Sequence, residues 1–342
     1  MRQLFQLRQC PPLLLLCFVT SLPLFAQRDG CQNPGIFEYL NGKEGDKLVL
    51  KTDITGLKAR KSERSYQHAI LRTASGRKWD IAVRTCGQYR LKKAATPPLK
   101  LKFWQNDLQA QGLDTFENVK IILPFYNDNT GEELLIREYL AYQMFALIDE
   151  NAVCARLVPL ELRDAGLGIG KKQRSYALLL EDETETAYRL GSIATERPGI
   201  PMDSLEQYQA ALTVLFQYMI GNTDWSFRLV RNVRLFEPEG GGPILSMPFD
   251  FDFSGLVNAP YATPAPETGL KTVRDRLLMD DGIDPRALEM AATTLLECKS
   301  DILAVCRTPL LSQAASDDMV AYLEQFFSAL ETGNGLLAFQ RK

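Results

Sequence analysis

The 342 residues predict an α+β chain folded as two lobes. Strand-like runs crowd the first part, up to residue 182, around one long helical pattern. The second part, from 183, is mostly helical, and its β content is a single hairpin. Apolar content of 46% and charged content of 24% suit a globular core of this size, and no internal repeat interrupts it.

Taken in order, residues 1–26 read as an export leader. Arg2 and Arg8 precede an almost wholly apolar run, Pro11 to Phe25, and Leu24-Phe25-Ala26 offers a cleavage point before Gln27. The run is too short to span a bilayer comfortably, so no stable membrane span is expected. Cys17 follows bulky Leu16, which argues against a lipoprotein site.

Residues 27–182 form the strand-rich lobe. Strands are expected at Lys47–Thr52, Ala69–Arg72, Trp79–Val83, Leu99–Phe103 and Val119–Phe125, with Pro97-Pro98 marking the start of the fourth. The main helix is expected over Glu132–Asp149, with Leu134, Glu138, Ala141, Phe145 and Ile148 on one stripe. Strands at Val153–Leu162 and Arg174–Glu181 flank the glycine run Gly166 to Gly170. That run opens no helix and lacks a Gly-Lys-Ser, so it reads as a hairpin loop.

Residues 183–342 form the helical lobe. Asp203-x-x-Glu206 suggests a capping box for a helix that carries Leu205, Tyr208, Leu212, Leu215 and Met219 and stops at Gly221. The hairpin pairs Val233–Phe236 with Ile244–Met247. A turn-rich stretch, Leu256 to Pro266, leads to helices expected at about 270–279, 286–306 and 316–332.

Composition excludes several functions. A net charge of −3 gives no reason to expect nucleic acid, and the clusters at Lys58–Lys61 and Arg90–Lys93 read as solvated faces. The single histidine, His68, disfavours both a zinc site and a Ser-His-Asp hydrolase. Five cysteines remain after leader cleavage, an odd number, so at least one thiol stays unpaired in an oxidising compartment. Cys298 and Cys306, about 12 Å apart along one expected helix, cannot join unless that helix breaks.

The chemistry concentrates at the hairpin. Gly221-Asn222-Thr223-Asp224-Trp225 and Asn232 precede it; Pro248-Phe249-Asp250-Phe251-Asp252 follows it. A hairpin brings its two ends together, so Asn232 and Asp250 can offer oxygens to one hard cation while Asp224 faces a reacting hydroxyl. Asp252 is the other candidate ligand, and the aromatics between the carboxylates imply partial burial. Glu138 sits on an apolar helix face, where a carboxylate is costly without a partner. Lys120, between Val119 and Ile121, is the strand residue that could supply one; the alternative is that Glu138 reaches water or pairs with Arg137 or Arg156.

The order Asp, Asn, two strands, Asp resembles the metal and base site of the protein-kinase superfold. More narrowly, the stretch from about Pro97 to Gly255 resembles the spore-coat protein H (CotH) kinase-like family. Pro98-Leu99-Lys100-Leu101-Lys102-Phe103 is similar to its basic strand and Leu135-Ile136-Arg137-Glu138-Tyr139 to its Arg-Glu helix. Ser175 to Glu181 is similar to its outgoing strand and Met247-Pro248-Phe249-Asp250 to its metal motif. Gly221-Asn222-Thr223-Asp224 also resembles the catalytic loop of HipA-type kinases. Those loops place a His and an Asn soon after the Asp, whereas here Trp225-Ser226 follows and Asn232 stands further on. No Gly-x-Gly-x-x-Gly loop precedes Lys120, so Gly87, Arg84, Arg90 and Lys100 are the candidates for phosphate contacts.

The resemblance implies a two-lobed kinase-like fold binding ATP with Mg²⁺ or Mn²⁺. It implies Asp224 as base, Asn232 and Asp250 or Asp252 as metal ligands, and Lys120 braced by Glu138 on the phosphates. The expected acceptor is a hydroxyl on an exported protein or small molecule, in the periplasm or outside the cell. The alternative is a catalytically silent secreted binding or envelope protein of pseudokinase type.

Overall fold

The structure, a computed structural model, describes residues 33–166, 172–280 and 282–332. The leader, Cys31 and all of the glycine run after Gly166 lie outside the described residues. From Asn33 onward the chain forms one compact unit.

The chain begins with α1 (Ile36–Asn41), β1 (Leu48–Thr52), α2 (Ile54–Ala59), β2 (Gln67–Arg72) and β3 (Lys78–Thr85). It continues through α3 (Tyr89–Lys93), β4 (Leu99–Lys102), α4 (Gln105–Gln109), β5 (Asn118–Ile122), α5 (Asn129–Ile148), β6 (Ala155–Asp164) and β7 (Lys172–Glu181). These strands close into a barrel in the order β1-β2-β3-β4-β5-β7-β6. Every neighbouring pair is antiparallel except β1 and β6, whose parallel pairing from Leu48↔Leu160 to Thr52↔Asp164 shuts the ring.

Alternation along the strands produces an inside and an outside. Leu48, Leu50, Ile81, Val83, Leu99, Leu101, Val119, Ile121 and Leu179 fill the barrel interior. Each such side chain contributes about 1.5–3 kcal/mol by leaving water. On the outside, Ile122, Leu178 and Leu180 instead join a second apolar core with α5.

That helix forms because Asp128 caps it, accepting from the Gly131 amide at 2.9 Å. Gly131 is required there, since a Cβ would lie 2.1 Å from the Tyr126 carbonyl oxygen. Both Arg137 and Glu138 are buried along α5, so the helix is enclosed on more than one side.

The remaining chain comprises α6 (Glu183–Arg189), β8 (Ser192–Thr195), α7 (Gln207–Ile220), β9 (Val233–Pro238), β10 (Leu245–Pro248), α8 (Pro285–Glu297), α9 (Lys299–Val305) and α10 (Gln313–Thr332). A small sheet runs β10-β9-β8. Helix α7 is entirely enclosed from Gln209 to Gln217. It ends at Gly221, whose φ of 66° is the left-handed cap that glycine adopts without a Cβ penalty.

Several expectations need correction. No helix forms at 270–279. Arg274 instead reaches the Gly255 carbonyl and Asp318, and Arg276 reaches the carbonyls of Met219 and Tyr322. These anchors hold an irregular strap across α7 and α10. The helix expected at 286–306 breaks at Cys298, yet Cys298 and Cys306 both remain thiols, as do Cys86 and Cys154. Glu206, not Asp203, caps α7, accepting from the Gln209 amide at 2.6 Å. Among the described residues no helix is long and apolar enough to cross a membrane.

Candidate functional site

The hairpin register builds the site. Pro248 faces Val233, and the Phe249 amide then donates to the Asn232 carbonyl at 3.1 Å, adding one more rung. Asp250 therefore leaves the ladder beside Asn232. Both residues have positive φ, 52° at Asn232 and 63° at Asp250, a region that Asn and Asp enter more readily than other side chains. The Tyr142 hydroxyl, from α5, accepts from the Asp250 amide at 2.8 Å and holds this turn.

Asp224 follows the α7 cap in an Asx turn, its amide donating to Asn222 Oδ1 at 3.0 Å. Buried Trp225 and Phe227 pack edge to face and pin the loop. Asn232 is eight positions further on, but Ser226 and Arg231 exchange backbone hydrogen bonds, so the intervening residues loop out and return. The Asn232 amide nitrogen then donates to the Asp224 carbonyl at 2.6 Å and to Asp224 Oδ2 at 3.0 Å. A self-paired loop thus brings two residues eight positions apart into contact.

Electrostatics tie the parts together. Burial raises the Asp224 pKa; Arg231 opposes this, while the charges of Asp250 and Asp252 add to it. Asn232 uses its side-chain nitrogen on Asp224, which leaves its side-chain Oδ1 unspent among the described residues. Among the described residues the Asp250 carboxylate has neither a hydrogen bond nor an ion pair. Lys120 has no carboxylate partner either; its ammonium lies 5.8 Å from the centre of the Phe249 ring, which Arg234 also approaches at 5.2 Å.

Glu138 is paired elsewhere than the sequence suggested. Its partner is Arg90 of α3, whose Nη2 donates to Glu138 Oε2 at 2.5 Å while Nε donates to Asp252 Oδ2 at 2.8 Å. The Tyr261 hydroxyl donates to the same Asp252 oxygen at 3.1 Å. Two buried carboxylates therefore share one guanidinium, and burial pushes both of their pKa values up against the pull of Arg90. One proton on the pair brings this enclosed cluster to neutrality, the state that burial favours. Among the described residues Glu138 Oε1 has no hydrogen-bond partner.

Of the residues singled out in the sequence, Asp224, Asn232 and Asp250 come together, with Lys120 and Glu138 facing them from β5 and α5. Asp252 belongs to the Arg90 cluster, so Asp250 is the available ligand of the two. Sequence reasoning missed Tyr142 and Tyr261 and read the Arg90–Lys93 cluster as a solvated face. Lys92 and Lys93 are exposed, but Arg90 and Leu91 are buried. Leu91 beside Arg90 was the available signal that this short segment turns one side inward. His68 lies apart, exposed and paired with Asp80 of the next strand at 3.2 Å.

Among the described residues no group of three or more His, Cys, Asp or Glu side chains is placed to hold a metal ion. The donor set here is one free carboxylate and one amide oxygen, hard oxygen donors too few for an all-protein cage. Two surface grooves, one lined by Leu48, Glu132 and Tyr176 and the other by Arg197, Asp203 and Glu237, contain none of these residues. No family model and no curated protein matches the chain.

Proposed function

We propose that this chain is an exported phosphotransferase built on a two-lobed, protein-kinase-like plan related to the CotH kinase-like family. It moves the γ-phosphoryl group of ATP to a hydroxyl acceptor, on a protein or a small molecule. The observation that carries this reading is the meeting of Asp224, Asn232 and Asp250 at one end of the β9–β10 hairpin, with the Asp250 carboxylate and the side-chain Oδ1 of Asn232 left without a protein partner among the described residues.

In this reading Asp224 orients the acceptor hydroxyl and takes its proton as the new O–P bond forms and the bond to ADP breaks. The Asn232 amide fixes that carboxylate by donating to Oδ2. Its raised pKa brings Asp224 closer to a working general base. Asp250 and Asn232 would hold Mg²⁺, which when bound neutralises charge on the phosphates. Lys120, unclaimed by any carboxylate, stands ready for phosphate oxygens. Residues 1–26 supply the export signal.

A second reading, a silent binding protein of the same fold, is favoured by one observation. Active protein kinases need a strand Lys paired with a helix Glu, and here Glu138 is held by Arg90. Thermal denaturation with Mg²⁺ or Mn²⁺, with and without ATP, separates the readings. The kinase reading expects a metal-dependent rise, by about 2.7 kcal/mol of stability at a hundredfold excess of ligand over Kd, that Asp250→Ala removes. No rise with ATP, GTP or ADP overturns it; a rise without turnover over a panel of hydroxyl acceptors supports the silent protein.

A further inference from the structure

The barrel carries a row of positive charge of which the reading above uses only Lys120. In the antiparallel register Arg84 of β3 lies directly opposite Lys100 of β4, and Lys100 directly opposite Lys120 of β5. Directly opposed residues share a sheet face, and the flanking Val83, Leu99, Leu101, Val119 and Ile121 point into the barrel core, so all three cations project outward. At the usual strand separation the row extends about 10 Å.

Like charges set directly opposite each other destabilise a sheet. One acidic group relieves this row: Asp182, just after β7, accepts from Lys100 Nζ at 2.8 Å. Among the described residues Arg84 and Lys120 remain without a carboxylate. Arg84 lies 5.3 Å from the centre of the exposed Tyr66 ring, and Lys120 approaches Phe249, the residue before Asp250. The Lys120 end of the row thus lies against the hairpin end, its ammonium 5.8 Å from the centre of the Phe249 ring.

We infer that Arg84, Lys100 and Lys120 form a cradle for a polyphosphate chain, with the Lys120 end nearest Asp250. The row is too long for one phosphate and suits an extended polyanion. It takes the part that a glycine-rich loop plays elsewhere, through side chains on three adjacent strands. In naming a nucleotide triphosphate as the natural occupant, the inference rests on the phosphotransferase reading; in naming a polyphosphate, it does not.

The test is titration calorimetry of the full chain with inorganic tripolyphosphate, metal-free and at low salt, beside Mg·ATP. Wild type should bind tripolyphosphate. Arg84→Gln should weaken binding about tenfold, the scale of one charge-assisted hydrogen bond. Arg84→Lys should restore most of it, and Lys78→Gln, which removes an equal charge from the far end of β3, should leave it unchanged. Equal losses in Arg84→Gln and Lys78→Gln would reduce the effect to net charge and overturn the cradle. So would tight Mg·ATP binding that Arg84→Gln leaves untouched, although the phosphotransferase reading would survive that result. Tripolyphosphate binding that depends on Arg84, with no binding of Mg·ATP, supports the cradle and sinks the phosphotransferase reading.

Discussion

Arg90 closes on Glu138 across 48 residues of sequence, through a 2.5 Å contact between two side chains that solvent barely reaches. Its Nε holds Asp252, two residues past the free carboxylate of Asp250. The short helix α3, the main helix α5 and the segment after β10 are thereby fastened at one point. Around it Tyr89, Phe125, Phe253 and Tyr261 pack ring on ring, Phe125 and Tyr261 stacked at 3.8 Å. The guanidinium is the only positive member of this cluster, and its removal strands two acids in an apolar box.

Arg90→Met should therefore destabilise the protein by about 3–5 kcal/mol, the scale for breaking a buried ion pair from one side. Adding Glu138→Leu to that variant should recover part of the loss, because one stranded carboxylate goes with it. Urea midpoints of the two single variants and the double variant check this, and strict additivity would show that the pair is not coupled.

Stability should fall as pH rises from about 4.5 to 8, and Glu185 is one cause. Burial, with repulsion from Glu181, lifts its pKa from 4.5 to about 8. Below pH 4.5 the folded and unfolded chains both hold this proton, and nothing is lost. Between the two values the folded chain binds more protons, so raising the pH favours unfolding. Glu185→Gln should add about 1–3 kcal/mol at pH 8.5 and almost nothing at pH 4.5. Denaturation profiles of both proteins across that range would show a flatter slope in the variant; parallel slopes would remove Glu185 as the cause.

Gly221→Ala should destabilise on two counts. A Cβ there would meet the Tyr322 hydroxyl at 2.0 Å, and φ is 66°. The backbone contribution alone is about 1 kcal/mol. Tyr322→Phe in the same chain should relieve the clash and leave the backbone cost, so the double variant should melt above Gly221→Ala and below Tyr322→Phe alone.

Asp224→Asn separates binding from chemistry. The side chain contributes to neither the cation nor the phosphate contacts in the proposed site, so Kd for Mg·ATP should change little. The rate of transfer to an acceptor should drop about 10²–10⁴-fold, the range for losing a general base. A matched loss of affinity and rate would place Asp224 among the ligands instead.

Much of this arrangement was legible in the chain. Strand-like runs located the barrel strands from Leu48 to Glu181, with apolar and charged residues alternating at Leu99–Phe103, and the long apolar stripe located α5, because burial leaves its mark directly on the sequence. The hairpin, with Asp224, Asn232 and Asp250 around it, was legible for the same reason: a two-strand element fixes what lies at its ends. Closure of the barrel was not, since the parallel pairing of β1 with β6 is a long-range choice with no local mark. The partner of Glu138 was also hidden. Lys120 and Arg90 are both cations near apolar neighbours, and only packing decides between them. The strap at 271–276 misled because arginines that anchor a loop to carbonyls leave the same composition as a polar helix face.

The ring closure has a consequence in time. β1 acquires β2 as soon as the next hairpin emerges, but its other edge waits for β6, and the Ile54 amide waits for Asp164, 110 positions later. Until residue 164 is synthesised, an apolar edge carrying Leu48 and Leu50 stands open to pair with any other strand it meets. The loop-closure entropy of that long span is incurred in one late step, so β1–β6 docking should set the pace of folding. A nascent chain that stalls before that point is the form of this protein most exposed to aggregation.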